Sequence, residues 1–139
     1  MTDYRFRLDF CVRDYECDLA AMVNNAVYLR YLEHARHQWL KERGIDFAGL
    51  AAQGIYLVVI RIEVDYLLSL RSGDQFWVGV NTERVSPLRF AFLQDIYRLP
   101  GDQPVLRAKV IGTAVNERGR PKLPQELEQL FTAGTWPGA

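Results

Sequence analysis

From Tyr4 to Val12 the apolar residues Tyr4, Phe6, Leu8, Phe10 and Val12 alternate with Arg5, Arg7, Asp9 and Cys11, the two-residue period of a half-buried strand. The period then changes. Tyr28, Tyr31, Leu32, Ala35 and Trp39 fall on one face of a long helix, which Gly44 is placed to end. Asp46 is positioned to cap a short helical turn reaching Gln53. Beyond Gly54, the residues Val58, Ile60, Ile62, Val64 and Tyr66 alternate with Val59, Arg61, Glu63 and Asp65, which predicts a second, long strand. A turn at Ser72-Gly73-Asp74 leads into a third, where Phe76, Val78, Val80 and Thr82 alternate with Trp77, Gly79, Asn81 and Glu83. Ser86-Pro87 interrupts the ladder because proline has no N–H to donate. Phe90, Phe92 and Ile96 carry a fourth strand up to Pro100-Gly101-Asp102. The fifth runs from about Val105 to Asn116, with Leu106, Ala108, Val110, Gly112 and Ala114 as a small-residue face, and Pro124 is placed to start a short final helix.

Strands joined by short turns pair antiparallel, and a single long helix with a wide aromatic stripe has to be covered by the face of their sheet. The predicted class is therefore α+β, a five-stranded antiparallel sheet wrapped around one long central helix. No repeat or linker interrupts the order, and with 139 residues, 49% of them hydrophobic, one domain over 1-139 is expected. Lys and Arg total 17 and so do Asp and Glu, so no net field favours nucleic acid or an anionic membrane surface. Met1-Thr2-Asp3-Tyr4-Arg5 lacks the apolar run of a signal peptide or membrane span, so a cytoplasmic protein without membrane insertion is expected. Cys11 and Cys17 form no Cys-x-x-Cys pair and read as reduced thiols rather than as part of a zinc site.

Candidate chemistry concentrates between Val12 and Tyr28, where Asp14, Glu16 and Asp18 immediately precede a helix start. Free N–H groups at a helix amino terminus can accept the charge that develops on a carbonyl oxygen under attack, while a nearby carboxylate handles water. Local spacing is met equally by a structural arrangement in which Asp18 caps a turn and Asn24 or Asn25 caps the helix. Arg36 lies roughly 80° around the helix from Tyr28, at the edge of the apolar stripe, where it can point into a cleft. Glu33 and His37, at helical spacings, equally suit a solvated face with modest ion pairing. Asp14-x-Glu16-x-Asp18 has the look of a calcium loop, but Leu19 stands where such a loop needs glycine and Asn25 where it needs a bidentate glutamate. Cys17, near His34 and His37 of the helix, would make a thiol nucleophile only on the warrant of adjacency; a small structural thiol is the commoner case. Of the aromatics Tyr28, Tyr31, Trp39, Trp77, Phe90 and Phe92, mostly core by their spacing, Tyr28 is best placed to reach a substrate.

Arg13-Asp14-Tyr15-Glu16-Cys17-Asp18, Val23-Asn24-Asn25, the run Tyr28 to Arg36, and Ser72-Gly73-Asp74 together resemble the 4-hydroxybenzoyl-CoA thioesterase-like branch of hotdog-fold proteins. Within it the chain is especially similar to plant acyl-lipid thioesterases and somewhat similar to enediyne polyketide thioesterases. The resemblance implies hydrolysis of an acyl-CoA or acyl-carrier-protein thioester to free acid and thiol, with no cofactor and no metal. The family's loop aspartate falls on Asp18, as general base or nucleophile. Its oxyanion-binding N–H falls on Asn25, and the arginine of the enediyne-type enzymes on Arg36. Asn24, Tyr28 and Glu33 are candidate substrate contacts. The chain departs from the family's Gly-His pair with Ala21-Met22, so the contact made by that histidine and the loop shape allowed by that glycine are both open. A homodimer or homotetramer with the site between subunits is implied, and a sheet curled round one helix would also leave edges for a partner to cover. The plant enzymes point to fatty acyl or β-ketoacyl chains, the broader branch to aromatic acyl-CoA. Two other classes remain: a non-hydrolytic acyl-thioester binding module, and a hotdog 3-hydroxyacyl dehydratase, whose usual Asp/His pairing is not evident near Asp18.

Overall fold

A computed structural model of the chain describes residues 3–131. In order it contains β1 (Phe6–Cys11), a 3-10 turn (Asp14–Glu16), α1 (Asn25–Glu42), α2 (Phe47–Ala52), β2 (Tyr56–Tyr66), β3 (Gln75–Ser86), β4 (Arg89–Arg98), β5 (Gln103–Val115) and α3 (Gln125–Glu128). The strands form one five-stranded sheet in the order β1-β3-β4-β5-β2, with every neighbouring pair antiparallel. This is the expected α+β hotdog architecture. No helix among the described residues is long and apolar enough to cross a membrane.

Both ends of α1 are fixed by local hydrogen bonding. Asn24 is its N-cap, with Oδ1 accepting from the Ala26 N–H at 2.9 Å. At the other end Gly44 takes φ +84°, and the N–H groups of Ile45 and Gly44 donate to Leu40 and Lys41, the paired bonds of a Schellman stop. Leu32, Ala35 and Trp39 on the buried face meet Phe76, Val78 and Val80 of β3, Phe92 and Ile96 of β4, and Leu106 and Val110 of β5 in one core. α2 starts after Asp46 as expected, but the Asp46 side chain makes no capping bond.

One expectation about β2 needs correction. The register shifts between Val59 and Arg61, so Ile60 is a bulge. Leu57 and Val59 pair with Ala114 and Gly112, whereas Ile62, Val64 and Tyr66 pair with Val110, Ala108 and Leu106. The side chains facing the helix are therefore Leu57 and Val59 before the bulge and Ile62, Val64 and Tyr66 after it. Val58 and Ile60 do not belong to that face. β2 is an edge of the sheet, and Val59 (47% exposed), Ile60, Ile62 and Tyr66 leave much of their apolar surface open.

Candidate active site

The segment leading into α1 is a compact hairpin built on Asp18. The Asp18 N–H donates to the Met22 carbonyl at 2.8 Å, and Cys17 bridges Val23. Asp18 Oδ1 accepts from the N–H groups of Ala20 (2.9 Å) and Met22 (3.3 Å), while Oδ2 accepts from no group among the described residues. Ala21 closes this turn at φ +62°, the left-handed conformation that a glycine would adopt without strain. Val23 and Met22 then pair with Leu70 and Arg71, which ties the hairpin to the segment before β3. Ser72-Gly73-Asp74 serves the same frame: Gly73 donates to the Val12 carbonyl, Val12 donates to that of Asp74, and the Ser72 hydroxyl donates to Asp14. Glu16 adds a further tie, its Oε1 accepting from the Arg13 N–H at 2.8 Å and from the Tyr31 hydroxyl at 2.9 Å. Burial and that carboxylate push the Tyr31 hydroxyl pKa well up, so it stays a proton donor.

The amino end of α1 opens onto a cleft of about 440 Å³ lined by Met22, Val23, Asn25, Tyr28, the stretch from Tyr66 to Ser69, Arg71 and Arg98. The first N–H groups of a helix have no intrahelical acceptor. Here Ala26 is capped by Asn24 Oδ1 and Val27 donates to the Asn24 carbonyl, which leaves the Asn25 N–H without an acceptor among the described residues. The Tyr66 hydroxyl donates to the Asn25 carbonyl at 3.2 Å, fixing the edge strand against the helix start. Tyr28 is buried beneath the cleft, with its hydroxyl accepting the Leu70 N–H at 2.8 Å; burial raises its pKa, partly offset by that bond.

Arg36 and Glu33 lie elsewhere in the same chain. Eleven residues separate Arg36 from Asn25, about 16 Å along the helix axis. Both Arg36 and Glu33 line a separate groove of about 520 Å³, with His37, Leu40, Phe47, Leu57, Val59 and Phe92 among its walls. The Arg36 side chain is buried (6% exposed), with Nη1 donating to Gln94 Oε1 at 3.3 Å and its guanidinium 6.0 Å from the Phe92 ring centre. Gln94 is held in turn by donating to the Leu32 carbonyl at 2.9 Å. Among the described residues no carboxylate forms an ion pair with Arg36. Desolvation lowers its pKa, and that of His37 beside it, by disfavouring the charged forms.

The chain thus gathers Asp18, Asn24, Asn25 and Tyr28 around one end of α1 and sets Glu33 and Arg36 apart. Asn24 acts on the backbone as a cap. Tyr66, Arg71 and Arg98, which also line the first cleft, escaped the sequence reading. The alternation marks Tyr66 only as strand, Arg71 only precedes the turn at Ser72, and nothing local connects Arg98 to Asn25. Among the described residues no cluster of three or more His, Cys, Asp or Glu side chains is arranged to hold a metal ion.

With a sheet curled on a helix whose amino end opens beside an aspartate-built turn, the chain belongs to the thioesterase-like superfamily, matching it over residues 12–131. Two relatives are chloroplastic acyl-acyl carrier protein thioesterases of Arabidopsis thaliana. ATL3 is 37% identical over 121 residues, 86% of this chain and 64% of the relative. ATL2 is 34% identical over 125 residues, 89% of this chain and 66% of the relative. The chain therefore spans just under two thirds of the length of either plant protein. The crystal structure of a 1,4-dihydroxy-2-naphthoyl-CoA thioesterase from Synechocystis superposes with a TM-score of 0.87 at 19% identity, covering 95% of this chain and 98% of that one, a likeness of fold.

Proposed function

We propose that this protein hydrolyses an acyl thioester to a free acid and a thiol in the cleft at the amino end of α1. The observation that carries this reading is that Asn25, whose N–H has no acceptor among the described residues, lines that cleft, with Asp18 held in the adjoining turn and its Oδ2 accepting from no described group. Water attacks the thioester carbonyl as Asp18 takes its proton, and the Asn25 N–H donates to the oxygen that becomes negative. Collapse of the tetrahedral intermediate breaks the carbon–sulfur bond, and the proton held by Asp18 passes to the departing thiolate. In a second version Asp18 attacks the carbonyl directly and expels the thiolate to give an anhydride; water then opens the anhydride to free acid and the Asp18 carboxylate, and the proton released by water leaves the thiol neutral.

Arg36 joins this site across a dimer. An antiparallel pairing of two β2 edges about a two-fold near Ile62 would set Tyr66 of one subunit opposite Val58 of the other. Tyr66 borders the Asn25 cleft and Val58 the Arg36 groove. Such pairing would cover the apolar edge and bring Arg36 of the partner subunit toward the Asn25 cleft, where it orients substrate or water. The plant relatives are named as acyl-acyl carrier protein thioesterases, which supports an acyl-carrier-protein thioester as substrate here.

Release of free thiol from fatty, β-ketoacyl and aromatic acyl thioesters, on both coenzyme A and carrier protein, tests the reading. Hydrolysis of any of them by the wild-type protein supports it. Tight binding of the thioesters without thiol release would make the protein a binding module instead, and an enoyl product would make it a dehydratase.

A further inference from the structure

The cleft at the amino end of α1 has a charge pattern that hydrolysis alone does not explain. Arg71 and Arg98 both line it, and the carboxylate of the proposed chemistry, Asp18, lies in the adjoining turn and not in its wall. Four other clefts among the described residues each carry at least one acidic side chain: Asp9 and Glu16, Glu33, Asp46 and Glu126, or Glu63 with Asp65 and Asp95. Neither arginine is in an ion pair among the described residues. Arg98 donates to the neutral Gln103 side chain, and the Arg71 guanidinium has no hydrogen-bond partner there, although its backbone N–H is held by Asp74 Oδ2 at 2.8 Å. Their backbones are fixed independently, Arg71 by its bridge to Met22 and Arg98 by pairing with Phe76 and Gln103. Two guanidinium groups brought to one cleft from separate elements favour an anion there. A guanidinium's planar donors suit phosphate oxygens. Leu67 (52% exposed) and Leu68 add apolar surface to the same cleft, against which an uncharged arm can lie on its way to Asn25.

We propose that Arg71 and Arg98 grip a phosphate of the thiol carrier, the group common to coenzyme A and to the phosphopantetheine arm of a carrier protein. This rests on the thioesterase reading of the same cleft and adds the feature of the substrate by which it is held. Binding of the phosphate draws the arm across Leu67 and Leu68 and sets the thioester carbonyl at the Asn25 N–H. The grip contributes to substrate affinity and leaves the chemistry at Asp18 as described.

The test holds the acyl group constant and varies the carrier: acyl-N-acetylcysteamine, which has no phosphate, acyl-phosphopantetheine, acyl-CoA and acyl-carrier protein. In Arg71→Gln and Arg98→Gln proteins, the ratio of kcat/KM for a phosphorylated carrier to kcat/KM for acyl-N-acetylcysteamine should fall about tenfold, mostly through KM, as expected for a lost charge-assisted contact. Loss on acyl-phosphopantetheine, acyl-CoA and acyl-carrier protein alike would place the arm's own phosphate in the grip. That result supports the proposal, whereas loss on acyl-CoA alone would place the nucleotide's phosphates there and overturn it. An unchanged ratio, or an equal loss on the truncated thioester, overturns it. Arg89→Gln, outside the cleft, is the control and should match wild type on all four. Calorimetric titration of phosphopantetheine into wild-type and variant proteins reads the grip without turnover. Weaker binding by both variants would uphold the grip even if the wild-type protein hydrolysed no thioester, and equal binding would refute it whether or not hydrolysis occurs.

Discussion

Asp18 shows why residue types before a helix supported two accounts. Its Oδ1 does cap the turn, through Ala20 and Met22, yet that leaves Oδ2 for chemistry. The cap and the proposed catalytic role use different oxygens of one carboxylate. Asn at this position keeps an Oδ1 for the turn and loses basicity, so Asp18→Asn should retain its fold by circular dichroism while thioester turnover falls about a hundredfold or more. Full turnover in the folded variant would remove Asp18 from the chemistry. Ala21 is the other residue the structure clarifies. The family's glycine is missing, but the loop keeps the left-handed turn a glycine would make, with alanine at φ +62°. Ala21→Gly should relieve that strain and raise stability in chemical denaturation by up to about 1 kcal/mol. No gain would mean the turn tolerates the alanine at no cost. Arg36 was legible only as a residue at the edge of the stripe. Its burial depends on Gln94 and Phe92, which approach from another strand and leave no mark near position 36 in the sequence.

At the scale of elements, α1 was the most legible part of the chain, because its apolar face, its asparagine cap and its glycine stop all agree with one another. The cap also shapes the site. By occupying the Ala26 N–H, Asn24 leaves the Asn25 N–H as the donor open to the cleft. Asn24→Ala should cost about 1 kcal/mol of stability in thermal or denaturant unfolding and should fray the helix end, lowering kcat more than it raises KM. A stable variant with unaltered kinetics would show that the cap does not position the donor. β3, β4 and β5 were readable from alternation. The first half of β2 was not, because Leu57, Val58, Val59 and Ile60 form an unbroken apolar run, and a run without polar residues has no phase. The bulge that decides its face appears only once the strand is paired with β5.

At the scale of the molecule, element order was enough to read the wrapping of the sheet about α1, because short turns and one long helix allow few arrangements. The proposed sharing of the site between subunits is not readable that way, since it rests on distances along α1 and on which strand is left at the edge. β2 holds that edge with its apolar residues exposed. Charged residues there should block the proposed pairing, so Ile60→Lys/Ile62→Lys protein should sediment as a monomer and lose turnover, whereas wild type should sediment as a dimer or larger. An active monomer would refute the shared site. The most direct test of the central claim is complementation between two weak variants, Asp18→Asn and Arg36→Met, refolded together in equal amounts and assayed for thiol release. If each site takes Asp18 and Asn25 from one subunit and Arg36 from the other, half the dimers are mixed and each mixed dimer holds one intact site, so activity should recover to about a quarter of wild type. Activity no higher than the average of the two variants would contradict a site shared between subunits.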